Sequence, residues 1–405
     1  MKYLSLALLA LAVIFFQAHI PLWRGHLEVD VWNYFLRVEH FFKYRTFFDA
    51  PGIEILPATS LFLLLPAFIA GLAPFLYVNY LNAFFIIILA ILGLQLYLTR
   101  RRPLIQRLTL PFALVFLGPI ILFRFEALAA LLVAASLVLF VQKKPPLSAF
   151  VLGLATAVKV YPVIILPYLM LLTYSKKNPK AAIAFLLYYL QAILLSLIPY
   201  LYLGGRLDDI GAGLSFHALK YVSIESVPGS LLTGWSLLTA GRPLPLLGGY
   251  GVWGVDSPLV DAVGLAWFNR FWFLPVILFY WYLYRRPKLR QKLSFALVFC
   301  LILVFLLFSK NLHAQYLWWF VSLFPFFRLT GSQAKNDYFV LFGLTLVALL
   351  LNQNVYPVLY TPFLEDFYSA GRSLPIYYLM LLRNLTLITL LILSLRAVFV
   401  RKSLS

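Results

Sequence analysis

The feature that most constrains this chain is the alternation of long apolar runs with short basic clusters. A run such as Tyr77 to Leu98 carries no charged residue and matches the roughly 20 helical residues needed to cross a bilayer core. Backbone amides in lipid must be satisfied internally, and apolar runs without two-residue alternation satisfy them as helices. With 63% apolar residues and a mean hydropathy of +0.91, a soluble core is excluded. The expected fold class is an all-α, polytopic integral membrane protein.

The basic clusters set the expected orientation. There are 33 basic and 14 acidic residues, a formal net charge of +19. The cations fall between apolar runs rather than on one soluble face, which argues against nucleic acid as a partner. Arg100 to Arg102 with Arg107, Lys143 and Lys144, Lys176 to Lys180, Arg285 to Lys292, Arg328 with Lys335, and Arg401 with Lys402 read as cytoplasmic turns. The other loops then face outward, and they carry Glu28, Asp30, Glu39, Asp49, Glu54, Asp208, Asp209, Glu225, Asp256, Asp261, Glu365 and Asp366, with Asp337 the exception. This places the expected chemistry on the extracytoplasmic face of the cell membrane.

Crossings are expected near residues 3–20, 77–98, 108–122, 127–141, 181–203, 259–284, 293–309, 316–327, 338–351 and 375–398. Runs at 58–73 and at 147–158 with 162–172 read as broken or re-entrant helices, Pro162 supplying the second break. The total is about 10–13 membrane helices, some of them short. Irregular backbone at that depth is tolerated where protein buries it or where it lines a cavity. The first run reads as a retained helix, because Ile20, Pro21 and Trp23 follow it in place of a small-residue cleavage site. The single cysteine, Cys300, permits no intramolecular disulfide. Residues 1–405 are expected to form one domain, with 1–330 the catalytic module and 331–405 adding C-terminal helices.

Several polar residues interrupt this apolar background. Asp30 lies in H-L-E-V-D-V-W-N-Y, expected to be an acidic, aromatic outer loop that also carries Glu28 and Tyr34. Lys159, in G-L-A-T-A-V-K-V-Y-P, sits just before the expected break. An ionisable residue at membrane depth is a functional candidate, although a lysine can also snorkel to the interface. Arg124 and Glu126 in F-R-F-E have apolar flanks that a solvated hairpin would not need. A further outer loop, L-S-F-H-A-L-K-Y-V-S-I-E-S-V, carries His217, Lys220, Glu225 and Ser226 between Gly213 and Gly229, glycines placed to let it close. The stretch F-S-K-N-L-H-A-Q-Y-L-W-W brings His313, Gln315 and Tyr316 to the end of a helix. Cations, a carboxylate base and hydrogen-bond donors are what binding a sugar phosphate requires.

In these segments, together with I-E-I-L-P around Glu54, the chain resembles the GT-C superfamily. It is similar to the polyprenyl-phosphate-dependent mannosyltransferases of glycosyltransferase family 87, and more remotely to the GPI mannosyltransferase I catalytic subunit. The resemblance spans roughly residues 1–330. It implies a GT-C-like helical bundle whose first outer loop carries the catalytic aspartate, here Asp30. The donor would be a polyprenyl-phosphate-linked hexose, most readily mannose, and the acceptor a lipid or glycan.

On this reading Asp30 takes the proton of an acceptor hydroxyl as the anomeric bond to phosphate breaks. Lys159, His313, Arg124 and Lys220 would stabilise the leaving phosphate. Glu28, Tyr34, Glu54, Glu126, His217, Glu225, Ser226, Gln315 and Tyr316 would contact substrate. The scheme needs no metal or other cofactor, and no metal-ligand motif stands in the sequence. Absence of a glycine-rich phosphate loop disfavours a nucleotide sugar as direct donor. The rival class is a transporter or flippase of a lipid-linked or anionic solute, which broken helices and an intramembrane lysine also fit. No self-similarity between the halves supports it.

Overall fold

A computed structural model of the chain describes residues 2–50, 54–71, 76–174, 179–249, 251–257, 271, 273–360, 374–400 and 404. Helix dominates throughout. Two compact units form, interleaved in sequence. Unit 1 comprises Met1–Pro111, Pro119–His217 and Pro287–Leu293, and unit 2 comprises Phe112–Gly118, Ala218–Arg286 and Ser294–Ser405.

Unit 1 opens with α1 (Lys2–Ala18) and α2 (Pro21–Tyr44), bent by 93° where they meet. Pro21 starts α2 because its fixed φ suits a first helical turn and its missing N–H would have been unpaired there. The expected outer loop at His26–Tyr34 is therefore helix, and Asp30 sits on a regular element. The buried residues Leu27, Val31, Tyr34, Phe35, Val38 and Phe41 recur at helical spacing. The interspersed charges obscured that period. Arg37 is buried on the same helix and donates from Nε to Ser60 Oγ at 3.0 Å, tying α2 to α3 (Pro57–Ala70).

The unit continues through α4 (Tyr77–Leu98) and α5 (Leu104–Leu117), which straddles the unit boundary, to α6 (Glu126–Val141), preceded by a 3-10 turn at Pro119–Phe123. Then come α7 (Pro145–Val158), α8 (Leu166–Tyr174), α9 (Pro179–Tyr202) and α10 (Leu207–Leu219). The expected break is present: α7 stops at Val158, Lys159 is extended, and a 3-10 turn over Tyr161–Ile165 leads into α8. Thr59 Oγ1 donates to Val158 O at 2.7 Å, satisfying a carbonyl that the break would strand. α7 packs against both α6 and α9. Gly153 makes the second approach close, since a Cβ there would meet the Tyr189 carbonyl and lie 2.8 Å from Ala192 Cβ.

Unit 2 contains α11 (Val227–Ala240), a hairpin of β1 (Leu246–Gly249) and β2 (Val252–Val255), α12 (Leu274–Tyr284), α13 (Phe295–Leu307), α14 (Leu317–Val321), α15 (Gly331–Gln353) and α16 (Leu374–Leu395). The antiparallel hairpin pairs Leu246 with Val255 and Gly249 with Val252 and is a local exception to the all-α expectation. The expected outer loop between Gly213 and Gly229 is instead the end of α10, a short turn, and the start of α11. Gly213 is buried on α10, and Gly229 packs against the Ser223 carbonyl with no room for a Cβ, so neither has the freedom expected of a hinge. The expected helix over 316–327 is a 3-10 turn, a five-residue helix and a second 3-10 turn. Asp337 is buried on α15 and accepts from Gln333 Nε2 at 2.8 Å.

Among the described residues, four helical stretches are long and apolar enough to cross a membrane: Tyr77–Leu98, Pro179–Tyr202, Gly331–Val358 and Leu374–Val400. Tyr3–Ala18 and Pro21–Tyr44 reach that standard together as one bent pair. Other apolar helices, including α3, α6 and α7, are 10–17 residues long. Ile53, Lys176, Asp261, Glu365, Asp366, Arg401, Lys402 and the first part of the expected 259–284 helix lie outside the described residues.

The tight α7–α9 contact generates a stability test. Gly153→Val should destabilise the protein by about 1–3 kcal/mol, the usual cost of overpacking, read as a lowered unfolding temperature in detergent. An unchanged temperature would mean that the two helices do not meet at Gly153.

Candidate functional site

Unit 1 gathers four charged side chains from three places. Asp30 comes from α2, Arg124 and Glu126 from the junction of the 3-10 turn with α6, and Lys159 from the extended residue after α7. Arg124 Nε lies 2.7 Å from Asp30 Oδ2, a charge contact rather than an aligned hydrogen bond. Its Nη1 donates to the Leu27 and Phe123 carbonyls, both at 3.1 Å, which fixes the guanidinium from two further sides. Lys159 Nζ donates to Glu126 Oε1 at 3.0 Å and lies 4.7 Å from the centre of the Phe125 ring.

These groups differ in access. The Arg124 side chain is 7% exposed and that of Glu126 2%, whereas Asp30 keeps 40% and Lys159 23%. Each buried ion is thus matched to a more accessible partner of opposite sign, the pairing that low-dielectric surroundings demand. The second Glu126 oxygen, Oε2, is buried with no hydrogen-bond partner among the described residues. Tyr34 is buried beside Phe125 and Phe84, with ring centres 5.6 and 5.7 Å away. Its hydroxyl lies in the electrostatic field of Asp30, Arg124, Glu126 and Glu54. Glu28 pairs with Arg24 one turn earlier on α2.

The remaining candidates are distributed differently. His217 ends the second segment of unit 1, on α10, and touches the Phe216 ring edge-on. Lys220, Glu225, Ser226, His313, Gln315 and Tyr316 belong to unit 2. Ser226 is the N-cap of α11: its hydroxyl donates to Ser223 O at 2.6 Å and accepts from Gly229 N at 3.1 Å. That commitment accounts for the hydroxyl without a substrate. Tyr316 stacks on Trp319 with ring centres 4.3 Å apart. Glu225 Oε2 lies 3.8 Å from His313 Nδ1, an ion pair only when the imidazole is protonated.

Sequence reasoning passed over the framework behind Glu225. Arg383, fully buried on α16, donates to Asn352 Oδ1 at 2.9 Å, to Asn384 Oδ1, and to the Glu225 carbonyl. Asn384 Nδ2 donates to Ser230 Oγ at 2.8 Å and to the Glu225 and Ser226 carbonyls. The signal was available, because an Arg-Asn step interrupts an apolar run as visibly as Lys159 does. Lys310, also buried, donates from Nζ to Ala218 O at 2.7 Å. Burial and the nearby Lys220 cation push the Lys310 ammonium down to about 8.

Among the described residues no group of three or more His, Cys, Asp or Glu side chains converges as a metal site. No protein-family model matches the chain, and no curated protein matches it.

Burial pushes the Glu225 carboxyl up to about 7 from an ordinary 4.5, with Arg383 pulling the other way. Below pH 4.5 the group is protonated whether the chain is folded or not, and it carries no penalty. As pH rises, the unfolded chain ionises first, so folding loses stability up to the folded value near 7 and is level beyond it. At about 1.4 kcal/mol per pH interval, the loss is about 3 kcal/mol. Glu225→Gln removes this titration. The stability of wild type relative to Glu225→Gln should therefore decline between pH 4.5 and 7 in detergent unfolding experiments, and a difference independent of pH would contradict the assignment.

Proposed function

We propose that this protein is a membrane glycosyltransferase that moves a hexose, mannose being the leading candidate, from a polyprenyl-phosphate donor to a lipid or glycan acceptor. Its active site would lie on the extracytoplasmic face of the cell membrane, within a GT-C-like bundle to which the shorter apolar helices also contribute. The observation that carries this reading is the pairing of accessible Asp30 with buried Arg124. A general base must be reachable and held in place, and the fixed guanidinium of Arg124 beside Asp30 positions its carboxyl group.

In the proposed reaction the acceptor hydroxyl gives its proton to an Asp30 carboxylate oxygen and its electron pair to the anomeric carbon. The bond from that carbon to the phosphate oxygen breaks with inversion, and the lipid phosphate departs with the bonding pair. Arg124 and Lys159 are the cations of this cluster that would offset the charge developing on the phosphate. Tyr34 and Glu54, whose hydroxyl and charge interact electrostatically within this group, would contact substrate. His313 and Lys220, the other expected ligands of the phosphate, belong to unit 2.

One observation favours a second reading, a transporter or flippase of a lipid-linked or anionic solute. The Lys159–Glu126 pair sits at a helix break, with Glu126 Oε2 buried and without a hydrogen bond among the described residues. Ionisable pairs of this kind also serve solute and proton pathways.

Membranes containing the protein should convert radiolabelled polyprenyl-phosphate mannose into a new labelled product. Asp30→Asn, normalised to folded protein, should lower that turnover on the order of 100-fold or more, the scale of lost acid–base catalysis. Near-normal turnover in Asp30→Asn would reject Asp30 as the base. Movement of labelled donor across proteoliposomes with no product formed would favour the transporter.

A further inference from the structure

Unit 2 holds a pair of titratable side chains held by one continuous polar frame. Glu225 lies in the turn between α10 and α11, and His313 lies just before the 3-10 turn at Ala314–Tyr316. The two segments are laced together, because Ser223 N donates to Lys310 O at 2.9 Å. Ile224 N donates to Trp253 O at 3.0 Å, which anchors the same turn to β2.

The frame reaches both partners from the membrane helices. Arg383 and Asn384 hold the Glu225 carbonyl from α16. Asn352 of α15 accepts from Arg383 through Oδ1 and donates through Nδ2 to Ala314 O at 3.3 Å, one residue after His313. One buried guanidinium and two amides thus set the positions of acid and imidazole together. Burying that many polar groups in apolar helices costs free energy unless every bond is made, and here the bonds converge on main-chain carbonyls next to two titratable side chains.

The gap between the pair is informative. At 3.8 Å, Nδ1 and Oε2 are too far apart for a hydrogen bond. They are close enough for a single hydroxyl oxygen, placed to one side, to lie within hydrogen-bond reach of both. The side chains are 8% and 19% exposed, so the gap is screened without being sealed.

The surrounding charges come from each packed element. Arg383 on α16 favours the ionised carboxyl, and burial opposes it. The Tyr360 hydroxyl, beyond α15, lies in the field of Glu225 and of Tyr356. The Tyr316 ring meets His313 edge-on at 5.1 Å, and Lys310, which feels the charge of Lys220 just after α10, stands on the segment leading to His313.

We propose that Glu225 and His313 form an acid–base pair that holds one exchangeable proton and binds a hydroxyl-bearing ligand through it, with Arg383, Asn384 and Asn352 as positioning residues. The protonated member of the pair donates a hydrogen bond to the ligand oxygen and the other accepts one from the ligand hydroxyl, so the ligand is bound with no net proton transfer to it. This site is independent of the reaction proposed for Asp30.

The test is a pH titration of the histidine ring signals by NMR in detergent-solubilised full-length protein carrying 13C-labelled histidine. There are five histidines, and His313→Gln identifies the signal of interest. Loss of the neighbouring carboxylate in Glu225→Gln should lower the last deprotonation of His313 on the order of one pH unit. Asn352→Ala and the charge-keeping Arg383→Lys should shift it in the same direction, whereas purely structural roles would lower the unfolding temperature and leave the midpoint alone. Methyl mannopyranoside should move the His313 signal in wild type and not in Glu225→Gln. Equal His313 midpoints in wild type and Glu225→Gln overturn the pair, and a wild-type signal insensitive to the sugar at every pH overturns the ligand. Neither result bears on Asp30, whose failure would be seen with the lipid donor alone.

Discussion

An ion placed in an apolar helical protein needs an opposite ion within reach, and that requirement organises the candidate site of unit 1. Arg124 and Glu126 are adjacent to the same phenylalanine and nearly inaccessible, so each fixes the place of a partner from another segment. Arg124 brings in α2 through Asp30, and Glu126 brings in the chain break after α7 through Lys159. An unpaired buried charge typically costs several kcal/mol, more than the net contribution of most individual packing contacts. The short junction F-R-F-E therefore joins three parts of the unit. The two accessible ends of the resulting chain of charges are a carboxylate and an ammonium, a base and a cation suited to an anionic substrate.

Unit 2 solves the same problem with neutral partners. Among the described residues, no carboxylate oxygen lies within ion-pair distance of Arg383; amide oxygens and a main-chain carbonyl receive its hydrogen bonds. Such a network is directional where an ion pair is tolerant, so it fixes the Glu225 turn in one geometry. Rigid support behind a titratable pair is what a binding site requires, because polar groups that must reorganise on binding lose much of their advantage.

Much of the helical framework was legible because its signals are local. The run Tyr77 to Leu98 is bounded in the structure where the sequence reading placed it, and Pro162 marks the break before α8. Asp30 shows the limit. Charged residues scattered through α2 disguised its buried stripe, and a loop was expected where Pro21 starts a helix of 24 residues. The β1–β2 hairpin escaped because its glycine-rich sequence has no long apolar alternation. Lys159 and Glu126 were each singled out, but their contact spans 33 positions and depends on how α6 and α7 pack. That His313 and Lys220 belong to a different compact unit from Asp30 is likewise a property of tertiary structure. Sequence spacing carries no record of either.

Mutual neutralisation of buried charges holds the unit 1 cluster together. A double-mutant cycle on Lys159 and Glu126 measures it directly, using unfolding free energies of Lys159→Met, Glu126→Gln and the double variant in detergent. The account predicts that each single change is destabilising and that the double variant recovers part of the loss, with a coupling energy of roughly 1–3 kcal/mol, the range for residues sharing one network. Single effects that add to within about 0.5 kcal/mol would mean that the two side chains are independent, and would contradict the account.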